Sequence, residues 1–143
     1  MADRLSPRLA AVVDALPLWP TARVLEIGCG PGAAARAVAN RLTAGHLLAV
    51  DRSDRAVALA SRTCADLVTA GRVSIRQVAA EELVLLEHEQ PYDLVFAVRV
   101  GALDGRHPAA GALSLPRIAA VTTPSARLFV DGGAPLREIT IPR

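Results

Sequence analysis

The residues best placed to do chemistry stand in two short stretches. In the first, Glu26 precedes three alternate glycines, Gly28, Gly30 and Gly32, which follow the apolar run from Ala22 to Ile27 and hold Cys29 and Pro31 between them. Glycine tolerates positive φ and lets a ligand approach the backbone closely, so the turn reads as a ligand cradle. A bare strand-to-helix turn is the plainer alternative, although three glycines at alternate positions exceed what a turn needs. In the second stretch, the run His46 to Val50 delivers Asp51 at its end. A carboxylate about 20 residues past such glycines can accept from both hydroxyls of a ribose; a solvated strand-end aspartate is the bland reading.

Charge narrows the ligand. Gly28, Gly30 and Ala33 satisfy the G-x-G-x-x-A form of a dinucleotide fingerprint, which keeps an NAD-dependent oxidoreductase open. Two residues oppose it: Pro31 lacks an N–H that a pyrophosphate could use, and Glu26 sets a negative charge beside the turn. The same carboxylate favours a cationic ligand carrying an amino group, a description that S-adenosyl-L-methionine meets. Cys29 reads as a small apolar filler, since no histidine adjoins it to support a thiolate.

The elements that must position these groups alternate between β-branched or leucine-rich runs and alanine-rich stretches of helical period, which means an α/β fold. Arg4 to Leu16 reads as an amphipathic helix with Leu5, Leu9, Val12, Val13 and Leu16 on one face, stopped by Pro17 and Pro20. Strands are expected over 22–27, 46–50, 73–78, 92–98 and 127–130, with a last short strand over 138–141. Helices are expected from Ala33 to Leu42, from a cap at Ser53 to about Thr69, briefly in EELVLLEHEQP, and from Leu115 to Val121 with Pro116 in its first turn. Residues 1–143 form one domain on this reading, with 1–20 as an N-terminal capping helix and 132–143 as a tail strand.

VLEIGCGPG, residues 24 to 32, resembles motif I of the class I S-adenosylmethionine-dependent methyltransferases, and AVDRS, 49 to 53, is similar to their acidic post-I motif. PYDLVFAV, 91 to 98, resembles the family's fourth-strand segment, and TPSARLFV, 123 to 130, its approach to the fifth strand. The resemblance implies a doubly wound, Rossmann-like, mostly parallel sheet of order 3-2-1-4-5 with a short antiparallel C-terminal strand. It further implies that Gly28, Gly30 and Gly32 border the methionine portion, with Cys29 among them, and that Glu26 lies near the amino group. Asp51 would take the ribose hydroxyls and Arg52 would lie beside the adenine, where a solvated arginine is the alternative. Ala97 would border the cofactor from the fourth strand. After the third strand the family places an acid or amide against the adenine amine; here Ala79 and Ala80 occupy that alignment and Glu81 is the nearest candidate, with Glu82 beside it. Both glutamates would equally suit a helix start.

Methyl transfer from a sulfonium is an in-line displacement, so alignment and exclusion of water matter more than a side-chain nucleophile. Where the acceptor is a hydroxyl or amine, a base helps, and RVGALDGRHP after the fourth strand offers His107 and Asp104. A loop histidine in water is the alternative for His107. His46 opens a strand and His88 precedes one, which puts both at the opposite sheet edge. AVRVG stands where amine-directed nucleic-acid enzymes carry an Asn-Pro-Pro-aromatic motif, and no insertion is long enough for a lid, so the acceptor is small, shared at an interface, or absent. A cofactor-binding partner or regulatory domain is therefore the alternative to an enzyme. The apolar strand RLFV calls for cover, either by the tail or by a homodimer.

Composition agrees. The chain of 143 residues is 52% hydrophobic with a formal charge of +2, and its sixteen basic residues are all arginine, scattered among acids. No polyanion-binding face is indicated, and aromatics at 3% are too few for base stacking. No apolar run reaches the roughly 18 residues of a membrane helix, and the opening at Asp3 and Arg4 is unlike a signal segment. Cys29 and Cys64 show no metal-ligand spacing. The sequence thus predicts a soluble cytoplasmic protein without nucleic acid, membrane or metal.

Overall fold

The computed structural model describes residues 5–143, so Asp3 and Arg4 lie outside the described residues; the first helix begins at Pro7, after the Ser6 cap, so Leu5 precedes it instead of lying on its apolar face. Six strands, β1 Arg23–Ile27, β2 His46–Asp51, β3 Val73–Gln77, β4 Tyr92–Ala97, β5 Thr122–Asp131 and β6 Leu136–Ile139, form one sheet. Their order is β3-β2-β1-β4-β5-β6, with β1 to β5 parallel to their neighbours and β6 antiparallel to β5. The expected order and antiparallel tail strand both hold, and the tail covers the β5 edge through pairs such as Leu128 with Ile139, slightly upstream of the expected 138–141.

Alternation along the strands splits the core in two. Val24, Leu47, Ala49, Leu94 and Phe96 face one side, where they meet α1 (Pro7–Ala15), α2 (Ala33–Ala39), α3 (Asp54–Thr63) and α4 (Ala65–Thr69). Leu25, Ile27, Leu48, Val50 and Val95 face the other, under α5 (Gly101–Asp104) and α6 (Pro108–Ala120). Burial on both faces explains why the strands read as continuous apolar runs. Ala34, Ala35 and Ala39 let α2 lie close on the sheet.

Helix α2 ends at Ala39 rather than Leu42, and α5 stands where no helix is expected; four further elements differ for identifiable reasons. The helix begun by the Ser53 cap breaks at Cys64, whose backbone leaves the helical region, so α3 and α4 replace one helix. EELVLLEHEQP forms only a 3-10 turn at Ala80–Glu82: Leu83 is buried, but Val84 and Leu86 are exposed, so no apolar stripe exists to hold a helix. Helix α6 begins at Pro108, well before Leu115, and Pro116 lies in its interior rather than its first turn. Burial of Ile118, and of Gly111 against the Ala102 carbonyl, where a Cβ would sit 2.4 Å away, offsets the lost backbone bond. Strand β5 starts at Thr122, but a register shift opposite Tyr92 and Leu94 leaves Arg127 to Val130 as the stretch in continuous pairing with β4.

Candidate active site

The parallel strands point their C-terminal ends at one edge, and β1 delivers Glu26 there on the face covered by α1 and α2. Its side chain is 3% exposed, and Oε1 has no hydrogen-bond partner among the described residues. Burial, and secondarily the nearby Asp51 charge, push its carboxyl up to about 8. A buried acid without a partner marks a place where a donor is missing.

The turn after β1 spends its own amides. Gly28 and Cys29 N–H both donate to the Val50 carbonyl, Gly30 N–H to Asp51 Oδ2 at 3.0 Å, and Gly32 N–H to the Cys29 carbonyl. Pro31 has none to give. The turn therefore offers no N–H to a pyrophosphate, and a carboxylate already stands against it. Gly30 has φ +52, and a Cβ added there would meet nothing within 4 Å, so the space above it is open to a ligand. Gly32 differs: at φ +93 it caps α2, and a Cβ would lie 3.0 Å from Ala60 Cα, so packing against α3 requires it.

Asp51, at the end of β2, accepts from Ser53 N–H through Oδ1 at 2.9 Å as well as from Gly30, which fixes the carboxylate while leaving each oxygen a free lone pair. Two cavities flank these groups. One, of about 490 Å³, is lined by Gly28, Asp51, Arg52, Glu81, Arg99 and His107 among others. The second, of about 230 Å³, is lined by Arg8, Glu26, Gly28, Cys29, Gly30 and Arg99 among others. Gly28 and Arg99 border both.

The structure thus gathers Glu26, Gly28, Cys29, Gly30, Asp51, Arg52, Glu81 and His107 around two adjacent cavities, and leaves three expected residues off them. Gly32 packs on α3, as above. Ala97 is buried in the core between Ile27 and Val130, its strand's successors Val98 and Arg99 lining the cavity instead. Asp104 receives both Arg106 N–H and Nε, at 3.1 Å and 2.8 Å, and so is held as an ion pair rather than poised as a base. His107 is exposed, with its ring over Gly101. The Cys29 thiol is pushed up by burial, then by Glu26 and Asp51, which fits a filler. His46 and His88 lie away from the site, with His46 bonded to the Gly71 carbonyl and to Ser74.

Three residues escaped sequence reasoning. Arg99, at the cavity junction, has φ +58, and its N–H donates to Asp131 Oδ1 at 3.0 Å. Asp131 ends β5, is 8% exposed, and takes Arg8 Nη2 on its other oxygen at 2.9 Å. A cation just after the fourth strand was the available signal; Asp131 lies 32 positions from Arg99 and 123 from Arg8, beyond any local pattern.

A family model described as a methyltransferase domain matches residues 24–124. The chain belongs to this family. Among solved structures, this methyltransferase domain is similar to the YcgJ protein of Bacillus subtilis, with 21% identity and a TM-score of 0.67 over 86% of this chain and 49% of that one. It is similar also to a methyltransferase from Thiobacillus denitrificans in complex with S-adenosyl-L-homocysteine, with 22% identity and a TM-score of 0.65 over 90% and 48%. A third is the [4+2]-cyclase SpnF, with 24% identity and a TM-score of 0.68 over 85% and 42%. The chain spans less than half the length of each of these three proteins. At such identities the likeness establishes the fold. Among curated proteins, none matches this chain.

Membership in the family brings S-adenosyl-L-methionine as the cofactor, and the residues fit it. Glu26 Oε1 lacks the donor that an amino group would supply, Asp51 keeps acceptor capacity for a ribose, and the floor between them at Gly30 is open. Among the described residues no helix is long and apolar enough to cross a membrane.

Proposed function

We propose that this domain transfers the methyl group of S-adenosyl-L-methionine to a small molecule. The observation that carries the reading is the buried, unpartnered Glu26 oxygen in one cavity, which shares Gly28 with a second cavity lined by the Asp51 carboxylate. The cofactor supplies an activated methyl group. The chain's own residues bind and orient: Glu26 takes the amino group, Asp51 the ribose, and Glu81, Arg52 and the apolar Val78, Ala79 and Ala80 line the end left for the adenine. A small acceptor fits an edge that lacks a covering segment among the described residues.

A second reading, a cofactor-binding domain without turnover, draws support from the same edge. Asp104 is tied to Arg106, and His107, the remaining candidate base, stands exposed at the start of α6. An oxidoreductase reading is disfavoured because every turn amide from Gly28 to Gly32 is internally spent. Titration calorimetry with S-adenosylmethionine, S-adenosylhomocysteine and NAD separates these: binding of the first two without the third is expected, and the reverse would sink the reading. Methyl release in the presence of small acceptors then distinguishes enzyme from binding domain.

A further inference from the structure

Asp131 ties together two walls of the smaller cavity that come from distant parts of the chain. Its Oδ1 accepts from Arg99 N–H at 3.0 Å and its Oδ2 from Arg8 Nη2 at 2.9 Å, and Arg8 and Arg99 both line the cavity that Glu26 lines. The carboxylate is itself anchored. Asp131 closes β5, where it pairs with Leu136 of β6, and it is buried. The antiparallel tail strand therefore does more than cover an edge: it fixes the residue from which both walls hang.

The fold has other means of holding these segments. Helix α1 is seated on the core by Leu9, Val13 and Leu16, and its far end is fastened by the Asp14 ion pair with Arg41. Arg8 is 58% exposed, and an ion pair with so exposed a cation adds little to stability. Arg99 sits at φ +58, a conformation that an L side chain keeps only where the surroundings enforce it, and the bond to Asp131 is such an enforcement. Both ties thus act at the cavity. The cofactor's amino-acid end carries a carboxylate beside its amino group, so with the amino group at Glu26 that carboxylate belongs in the cavity lined by the two arginines. Arg8 spends one of its five donors on Asp131 and keeps the rest. Groups ordered in advance spare a ligand the entropy of ordering them. Resting on the cofactor reading above, we propose that Asp131 is a positioning residue for the amino-acid end of the cofactor, holding Arg8 and the backbone of Arg99 where that end requires them. It acts through the two arginines, and the ribose, held by Asp51 in the larger cavity, gains nothing from it.

The test compares two ligands on the intact protein. S-adenosylhomocysteine has the amino-acid end and is measured by direct calorimetry; 5′-methylthioadenosine lacks it and is measured by displacing the first. Asp131→Ala frees both walls and should weaken S-adenosylhomocysteine by about tenfold while moving 5′-methylthioadenosine by less than about twofold, the size of one lost charge-assisted hydrogen bond. Asp131→Asn keeps an oxygen for Arg99 N–H but presents no second acceptor to Arg8. It should therefore match Arg8→Gln, each costing about threefold on S-adenosylhomocysteine alone, as a half-exposed pair would. Replacing the exposed Arg8 does not endanger the fold, so the single-wall variants decide the matter even where Asp131→Ala fails to fold. A ratio of the two affinities that stays parental in both Arg8→Gln and Asp131→Asn overturns the proposal. Equal weakening of both ligands overturns it as well, since that marks a carboxylate that only supports the fold. Failure of the parent to bind S-adenosylhomocysteine refutes the cofactor reading itself, whereas parental binding with an unmoved ratio refutes only the role of Asp131.

Discussion

Glu26 and Glu89 are both largely buried carboxylates associated with the same sheet, one at each edge, and their surroundings are opposite. Glu89, beside the N-terminal edge, accepts from Tyr92 Oη, from Leu86 N–H at 2.8 Å and from both Arg76 Nη atoms. Burial alone would raise its carboxyl, but the Tyr92, Leu86 and Arg76 bonds outweigh that and hold it below the usual range. Arg23 lies over the Tyr92 ring at 4.8 Å, and both His46 nitrogens are bonded. Glu89 is thus satisfied by the chain itself, although Arg72 Nε and Thr123 Oγ1 at the same edge lack partners. At the C-terminal edge Glu26 is buried with an oxygen unpartnered, Arg99 is unpaired, and Gly30 faces open space. A carboxylate is expensive to bury without partners, so a fold that surrounds Glu89 with donors and leaves Glu26 short of one has kept the second carboxylate for a ligand.

The comparison breaks most sharply at Gly30. Gly30→Val should abolish cofactor binding, a loss of more than about a thousandfold, because a branched side chain would fill the open space and resist φ +52. Circular dichroism should show most of the fold retained. Unfolding of the unliganded variant, or parental affinity, would mean that the turn serves packing alone. At the other edge, Glu89→Ala should destabilise the protein by about 3 kcal/mol, since Arg76 and Tyr92 lose their shared acceptor. Cofactor affinity should not move; a joint loss would show that the two edges are not separable.

What the sequence revealed follows the same division between local and distant causes. The β1 turn with Glu26, Gly30 and Asp51 was readable because alternation, glycine spacing and a strand-end carboxylate are local signals. Its neighbour Gly32 carries the same signal for a different reason, contact with Ala60 on α3, which no local pattern separates from ligand contact. Helix α6 was found only in its last turns, because Gly105, Pro108, Gly111 and Pro116 punctuate the sequence while Ile118 and the Ala102 contact hold the helix together. EELVLLEHEQP has helical residues but no surface to bury them against. Arg99 acquires meaning only when β5 brings Asp131 beside it.

Glu26 offers a sharper form of the comparison through pH. Its folded carboxyl near 8, above the ordinary 4.5, means that the unliganded native state keeps a proton that the unfolded chain loses. Its contribution to stability is therefore fully present below about pH 4.5, falls as pH rises through the interval, and is flat above about 8. Glu26→Gln should remove that dependence, so parent and variant stability curves diverge by on the order of a few kcal/mol across the window. The variant should bind the cofactor about 2 kcal/mol more weakly, having lost a charged acceptor for the amino group. At about pH 6.5, where an α-amino group is still protonated, parental binding should release a proton, detected as a dependence of binding heat on buffer ionisation enthalpy. Parallel stability curves, or no proton release, would show that Glu26 is solvated or partnered.

The smallest effect is expected at Asp51, whose carboxylate already serves the chain. Asp51→Ala should weaken cofactor binding by about 1 to 2 kcal/mol. That loss has two sources, because Gly30 and Ser53 N–H also lose their acceptor and the turn loosens. The two separate in a cycle that pairs the substitution with S-adenosylhomocysteine and its 2′-deoxy analogue. If Asp51 holds the ribose, the parent discriminates between the ligands and the variant does not, so removing the hydroxyl costs affinity only while the carboxylate is present. If Asp51 acts solely by fixing the turn, both ligands weaken equally and the parent's discrimination survives in the variant. The first pattern is expected, because each oxygen spends one lone pair on the backbone and keeps another, and Asp51 lines the larger cavity.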